Sequence, residues 1–244
     1  MIDFPRPDFM KLEKRLRVFF IRHGESEGNA QGIMQGLKDF PLSETGRSQS
    51  QAAGKWLLDK DIDEVFTSPL IRAKQTAEII AATLTKPAPT VVNTLRELDA
   101  GLFSGCTAAE IQREFPDAWQ AFRRHSWEEV PDAESVQSLW DRACSVWNKI
   151  IETANSGNRH IAVVTHGGIL QWLYKTTIQA RPSWMPIMPT ANCGIYTFFA
   201  HPIPSPEEHI PLSEKQNLQD DAPHLGTSFF ASWNELNTVP YEIR

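Results

Sequence analysis

Two short apolar runs, each stopping at a histidine followed by glycine, constrain this chain more than any other feature. Leu16-Arg17-Val18-Phe19-Phe20-Ile21 ends at Arg22-His23-Gly24, and Ile161-Ala162-Val163-Val164-Thr165 ends at His166-Gly167-Gly168. Runs of this length, rich in β-branched and aromatic residues, read as strands buried on both faces of a sheet. Their abrupt polar ends are where such strands deliver side chains to the sheet edge. Two further strands are expected at Glu64–Thr67 and from Thr90 to Leu95, the latter running into Arg96-Glu97, and a fifth at Tyr196–Ala200.

Helices fall between them. One is expected from Ser43 to about Lys60, capped by Ser43, with Ala52, Ala53, Trp56 and Leu57 on one face. Ser68-Pro69 predicts another start, an N-cap followed by proline at the first helical position, for a helix to about Leu84. From Asp132 to Ala154 the residues Val136, Leu139, Trp140, Ala143, Val146, Trp147 and Ile150 form one continuous apolar stripe. A last helix follows His166-Gly167-Gly168 to about Ile178, and shorter helical pieces are expected near Ala108–Glu114 and Ala118–His125. Strands alternating with helices imply βαβ units. The expected fold is therefore three-layer α/β/α with a mostly parallel central sheet, in one domain over residues 1–244. Residues 1–15 read as a polar leader, and 201–230, with several prolines and three histidines, as a long loop or lid.

Composition narrows the class. The net charge of −6 argues against a general nucleic-acid partner, which a basic face would serve. No apolar stretch approaches the roughly 18 residues of a membrane helix, and the first residues lack the apolar core of a signal peptide. Cys106, Cys144 and Cys193 are scattered and form no C-x-x-C, so neither a disulfide framework nor a cysteine-based zinc site is indicated. A cytoplasmic, reducing setting fits. His160, His201, His209 and His224 show no metal-binding spacing, so no metal or cofactor is expected.

Open parallel sheets bind ligands at the carboxyl ends of their strands. Arg22, His23, Glu97 and His166 all fall at such ends, and Arg72 lies in the first turn of a helix. Taken singly, each is the kind of residue that decorates a surface; their convergence is the signal. Two arginines suit an oxyanion with several equivalent oxygens, and Gly24, Gly167 and Gly168 let backbone N–H groups approach it. A histidine among such cations stays neutral and nucleophilic, and Glu97 is placed to protonate a leaving alkoxide. A phosphate monoester fits this pocket better than a carboxylate.

These residues resemble the signature of the histidine phosphatase superfamily, the phosphoglycerate mutase-like proteins. The resemblance begins with Phe20-Ile21-Arg22-His23-Gly24-Glu25-Ser26-Glu27-Gly28-Asn29 and continues through Ser68-Pro69-Leu70-Ile71-Arg72-Ala73, Leu95-Arg96-Glu97 and Thr165-His166-Gly167-Gly168. It implies a phosphoglycerate mutase-like fold and a metal-independent phosphatase working through a phosphohistidine on His23. Arg22, Arg72 and His166 would hold the phosphate, with Asn29 and Gly167 lining the pocket, and Glu97 would be the proton donor. The implied partner is a small phosphorylated substrate; oligomeric state has no readable signal. Two alternatives stand beside this reading: a cofactor-dependent mutase, and a phosphate-binding module without turnover. Ala100 and Ala108 stand where the mutase branch carries the tyrosine and lysine that engage its sugar acid, which favours phosphatase. Phe103-Ser104-Gly105 also departs from the Trp-Glu-Gly of the usual phosphatase.

Overall fold

The central strand is β1 (Leu16–Arg22), whose alternate side chains enter two different apolar layers. Val18 and Phe20 pack on one face and Phe19 and Ile21 on the other, all buried. A strand apolar on both faces belongs in the middle of a sheet covered by helices. In the computed structural model, which describes residues 4–125, 127–180, 182–183, 186–202 and 229–241, that is where it lies.

The sheet also contains β3 (Glu64–Thr67), β4 (Thr90–Val91), β6 (His160–Thr165), β7 (Ile195–Pro202) and β8 (Phe229–Thr238), in the order β4-β3-β6-β1-β7-β8. The first four strands of that order run parallel; β7 is antiparallel to β1, and β8 to β7. A separate two-stranded ribbon pairs β2 (Ile33–Met34) with β5 (Cys106–Thr107). The short helix α1 (Glu27–Ala30) precedes β2. Helices α2 (Glu44–Trp56) and α3 (Ile71–Thr83) cover the face of Phe19 and Ile21 through Ala53, Ala73, Ala77 and Ile80. On the opposite face lie α6 (Val136–Asn155) and α7 (Gly167–Thr177), with Trp147 stacked edge-on against Phe20 at 5.2 Å. Helices α4 (Ala108–Glu114) and α5 (Pro116–His125) sit beside the ribbon. The architecture is the expected three-layer α/β/α with a mostly parallel sheet.

Several expected elements are cut differently. The strand foreseen over 90–95 ends at Val91 and passes into a tight 3-10 turn at Asn93–Leu95, because only Phe66 and Thr67 remain to pair with it. Helix α3 begins at Ile71 rather than Pro69, and its first N–H is met from a distance: Ile71 N donates to Asp39 Oδ1 at 2.7 Å. Helix α6 begins at Val136, capped by Ser135, because Asp132 adopts φ +60° and Glu134 bonds elsewhere. The leader is not polar throughout: Phe9 and Leu12 are buried, and Trp140 donates its indole N–H to the Pro5 carbonyl. His201 and Pro202 end β7, and Phe229 and Phe230 begin β8, so both ends of the foreseen loop are strand; 203–228 lie outside the described residues.

Candidate active site

Parallel pairing of β1 with β6 puts Arg22 opposite Thr165 and so brings the next residue of each strand, His23 and His166, to the same edge. His23 N donates to the Thr165 carbonyl at 2.9 Å, and the two imidazole centroids lie 5.1 Å apart. Both rings are buried, with His23 at 2% exposure and His166 at 0%.

Each imidazole is oriented through one nitrogen. His23 Nδ1 lies 2.7 Å from the Gly24 carbonyl oxygen. A carbonyl only accepts, so Nδ1 carries the proton and Nε2 keeps the lone pair. His166 Nε2 lies 2.7 Å from Ser68 Oγ, and its Nδ1 is buried without a hydrogen-bond partner among the described residues. Ser68 Oγ also accepts from Leu70 N at 3.3 Å, so one hydroxyl serves both the histidine and the turn that leads into α3.

Arg72, 1% exposed, donates through Nη1 to the Lys38 carbonyl at 2.8 Å and through Nη2 to that of Gly36 at 2.9 Å. Arg22 donates through Nη1 to the Thr190 carbonyl. The Nε of each arginine is shut off from solvent with no partner among the described residues. Buried polar groups are almost always paired, so unmatched donors in one pocket mark the place of an acceptor from outside. Thr76 Oγ1 ties the floor together, accepting from Gly24 N at 3.0 Å and donating to the Arg72 carbonyl at 2.8 Å. Asn29 Oδ1 accepts from Ser26 N at 3.1 Å and from Asn192 Nδ2 at 3.3 Å, and Asn192 also donates to the His23 carbonyl at 3.1 Å.

Glu97 sits at the start of α7. Its Oε2 accepts from Gly168 N at 3.1 Å, and its Oε1 from Ile169 N at 3.1 Å and Leu98 N at 2.9 Å. The helix start that the glycines were expected to offer to an anion is therefore engaged by Glu97 itself. Gly168 has to be glycine here: a Cβ would lie 2.4 Å from Glu97 Oε1 and 2.3 Å from Leu98 Cδ2. Gly167 lies against Arg22, whose Nε would be 3.5 Å from a Cβ at that position.

Charge and burial set the protonation states. Burial, then the charges of Arg22 and Arg72, hold His23 well below its ordinary pKa, against a smaller upward pull from the Gly24 carbonyl. His166 is lowered likewise by burial, then Arg72, His23 and Arg22. Both arginines are lowered by burial, and the Glu97 charge opposes that in each.

All the expected site residues except Asn29 and Gly167 therefore bear directly on one polar edge, and those two flank it. Arg123 and Arg124 stand apart as exposed residues of α5, with Arg124 donating to Gln120 at 2.9 Å on its own helix face. An open cleft next to the Gly36–Lys38 turn is lined by Leu37, Lys38, Asp99, Gly101, Leu102, Ser104 and Asp132. Sequence reading missed Ser68 as a histidine partner, and also Thr76, Asn192 and Asp39. Ser68 and Thr76 lie in the stretch expected to be helical from the Ser68-Pro69 start signal to about Leu84; Asn192 and Asp39 carry no local signal. No group of three or more His, Cys, Asp or Glu among the described residues is arranged to hold a metal ion.

The sequence profile of the histidine phosphatase superfamily, branch 1, matches residues 18–201. The chain belongs to the histidine phosphatase superfamily. Among its relatives, a probable 2-carboxy-D-arabinitol-1-phosphatase of Arabidopsis thaliana is 32% identical over 191 residues, 77% of this chain but 39% of that protein. The chain thus spans well under half of that relative. A metal-independent phosphoserine phosphatase of the same plant is 33% identical over 182 residues, 73% of this chain and 76% of its own length. A solved mycobacterial glucosyl-3-phosphoglycerate phosphatase, in complex with VO3, superposes with a TM-score of 0.65 at 28% identity, covering 77% of this chain and 92% of that one. No helix among the described residues of this superfamily member is long and apolar enough to cross a membrane.

Proposed function

We propose that this histidine phosphatase superfamily member is a metal-independent phosphomonoesterase that works through a phosphohistidine on His23. The observation that carries this reading is the buried His23 ring, held neutral with its proton on Nδ1 and its lone pair on Nε2, beside His166, Arg22 and Arg72. In the first step Nε2 attacks phosphorus, the phosphorus–oxygen bond to the alcohol breaks, and Glu97 delivers a proton to the departing oxygen. In the second, Glu97 takes a proton from water, whose oxygen attacks phosphorus and breaks the N–P bond, releasing inorganic phosphate and free imidazole. The unmatched Nε donors of Arg22 and Arg72, with His166 Nδ1, hold the phosphoryl oxygens as charge develops. Asn29 and the backbone at Gly167 line the same edge.

The alcohol portion lies in the cleft of Lys38, Asp99 and Asp132, which abuts the turn that holds Arg72. Relatives named for phosphoserine and for phosphorylated sugar derivatives support a small phosphorylated substrate. One shared six-stranded sheet supports a single catalytic domain, and three free cysteines support a reducing, cytoplasmic setting. The test is inorganic phosphate release from p-nitrophenyl phosphate and a panel of alkyl phosphates, with 3-phosphoglycerate and its bisphosphate primer as the mutase control. Acid-labile phosphate should label the wild type and not His23→Ala, whose turnover should fall by several orders of magnitude. Labelling that persists in His23→Ala would overturn the assignment.

A further inference from the structure

Glu97 lies outside every strand, yet its placement decides whether a proton reaches the leaving group. It follows the 3-10 turn at Asn93–Leu95, and regular structure resumes only after a further stretch of chain. Strand β6 holds the turn at one point, where Thr165 Oγ1 donates to the Leu95 carbonyl at 2.8 Å. Beyond that point the backbone is held by a buried ion pair outside the phosphate pocket. Arg142 Nε and Nη2 grip Glu134 bidentately, at 3.0 Å to Oε1 and 2.6 Å to Oε2. Both side chains are almost wholly buried, at 5% and 7% exposure.

The rest of each group is spent on the turn. Arg142 Nη1 donates to the carbonyls of Thr94 at 3.0 Å and Arg96 at 2.5 Å, and Nη2 reaches that of Glu97 at 3.5 Å. Glu134 Oε2 accepts from Asp99 N at 3.3 Å, and Glu134 N donates to the Asp99 carbonyl at 3.0 Å. Ser138 Oγ donates to Oε1 at 2.8 Å. The backbone on both sides of Glu97 is thus bolted to the start of α6. Burial acts to raise the Glu134 carboxyl, but the hydrogen bond and charge of Arg142, with Ser138 and the Asp99 amide, hold it below its ordinary value.

We propose that Arg142 and Glu134 are positioning residues for proton transfer by Glu97, orienting the 94–99 turn so that the carboxyl meets the leaving-group oxygen. This rests on the assignment of Glu97 as proton donor. A buried ion pair is weak evidence of stability in itself, since well-packed apolar residues of similar volume often serve as well or better. What an apolar pair cannot do is direct three carbonyls and one amide. A displacement of about 1 Å at a catalytic group can cost about 10²-fold in rate.

The test compares phosphoenzyme burst rates on p-nitrophenyl phosphate, whose leaving group needs little protonation, with those on an alkyl phosphate that the wild type hydrolyses. Arg142→Lys keeps the charge but cannot reproduce the planar fork. The double variant Glu134→Leu/Arg142→Met replaces the pair by apolar bulk, so that folding survives if the single variant loses it. The expected result is an alkyl-phosphate burst slowed by about 10- to 100-fold, with the aryl burst and the affinity for inorganic phosphate within about threefold of wild type. A purely structural role would lower both bursts together. Equal losses on the two substrates, or none, in whichever variant folds would overturn the proposal. Glu97→Gln measured in parallel separates the two possible failures. If that variant does not discriminate between the substrates, Glu97 is not the acid; if it does and Arg142→Lys does not, the pair is not its positioning device.

Discussion

Two neutral imidazoles buried side by side should make the fold itself acid-sensitive well above the range where carboxylates titrate. Burial and the neighbouring arginines hold both His23 and His166 well below their ordinary value of 6.5. As pH falls through 6.5 the unfolded chain takes up two protons that the native pocket refuses, so equilibrium shifts toward the unfolded state. Stability is complete above 6.5 and is lost below it, until the pH reaches the lowered native values. Each site can contribute up to about 1.4 kcal/mol per pH unit, and the pair about 2.7. Between pH 7 and pH 5 the unfolded-state titration amounts to at most about 4 kcal/mol, against a typical total of about 5–15 kcal/mol. Urea denaturation at half-unit intervals over this range is the assay. With a slope of about 3 kcal/mol per molar, the midpoint should fall by up to about 1 M. His166→Gln should show about half that dependence. A midpoint unchanged between pH 7 and pH 5 would refute the claim that both rings are held neutral.

Glu97→Gln should slow phosphoenzyme formation from alkyl phosphates by about 10²- to 10⁴-fold and from p-nitrophenyl phosphate far less, read in the burst phase. The amide also places an NH2 among three backbone N–H donors, so a crystal structure of the variant should show the side chain displaced from Gly168 N and Ile169 N. Activity should survive EDTA, because the phosphate charge is met by arginines and histidines; loss on chelation with recovery on Mg²⁺ or Zn²⁺ would contradict the mechanism. Gly46→Ala should destabilise by about 1–3 kcal/mol in thermal or urea unfolding, since its Cβ would lie 1.9 Å from the Glu25 carbonyl oxygen. The gain in helix propensity, at most about 1 kcal/mol, does not offset that clash.

The parts of this fold that were legible in sequence are those where one residue type has one physical use. β1 and β6 carry apolar residues in unbroken series because both of their faces are covered, and their polar ends announce an edge. The stripe of α6 from Val136 to Ile150 faces one layer and repeats accordingly. Legibility failed where a side chain had a choice of partners. Ser68 looks like a simple helix cap, but its hydroxyl is shared between Leu70 N and His166, and the first N–H of the helix, on Ile71, is met by Asp39, thirty-two positions before it. Asp132 and Glu134 look like the first turn of a helix, but one adopts a left-handed conformation and the other holds Arg142. Of the candidate site residues, Arg22, His23 and His166 were visible because their chemistry is unusual at strand ends, whereas Glu97 was read at the end of a strand that stops at Val91. The residues that orient them were not, because a buried arginine, serine or asparagine reads like any surface one until the fold brings its partner near.

The placement of β1 bears on how the chain is made. Among the described strands of the sheet β1 comes first in the chain and lies at its centre, and its hydrogen-bonding edges are filled by β6 and β7, which are synthesised far later. Until His160–Thr165 has followed it out, Leu16–Arg22 is an apolar segment of high β-propensity with both edges open, the type of segment that recruits copies of itself. The proposed phosphate pocket closes at the same late moment, since His23 and His166 meet only when β1 and β6 pair. Anion binding would therefore report that long-range pairing, and a nascent chain of this kind leaves β1 uncovered until β6 has emerged.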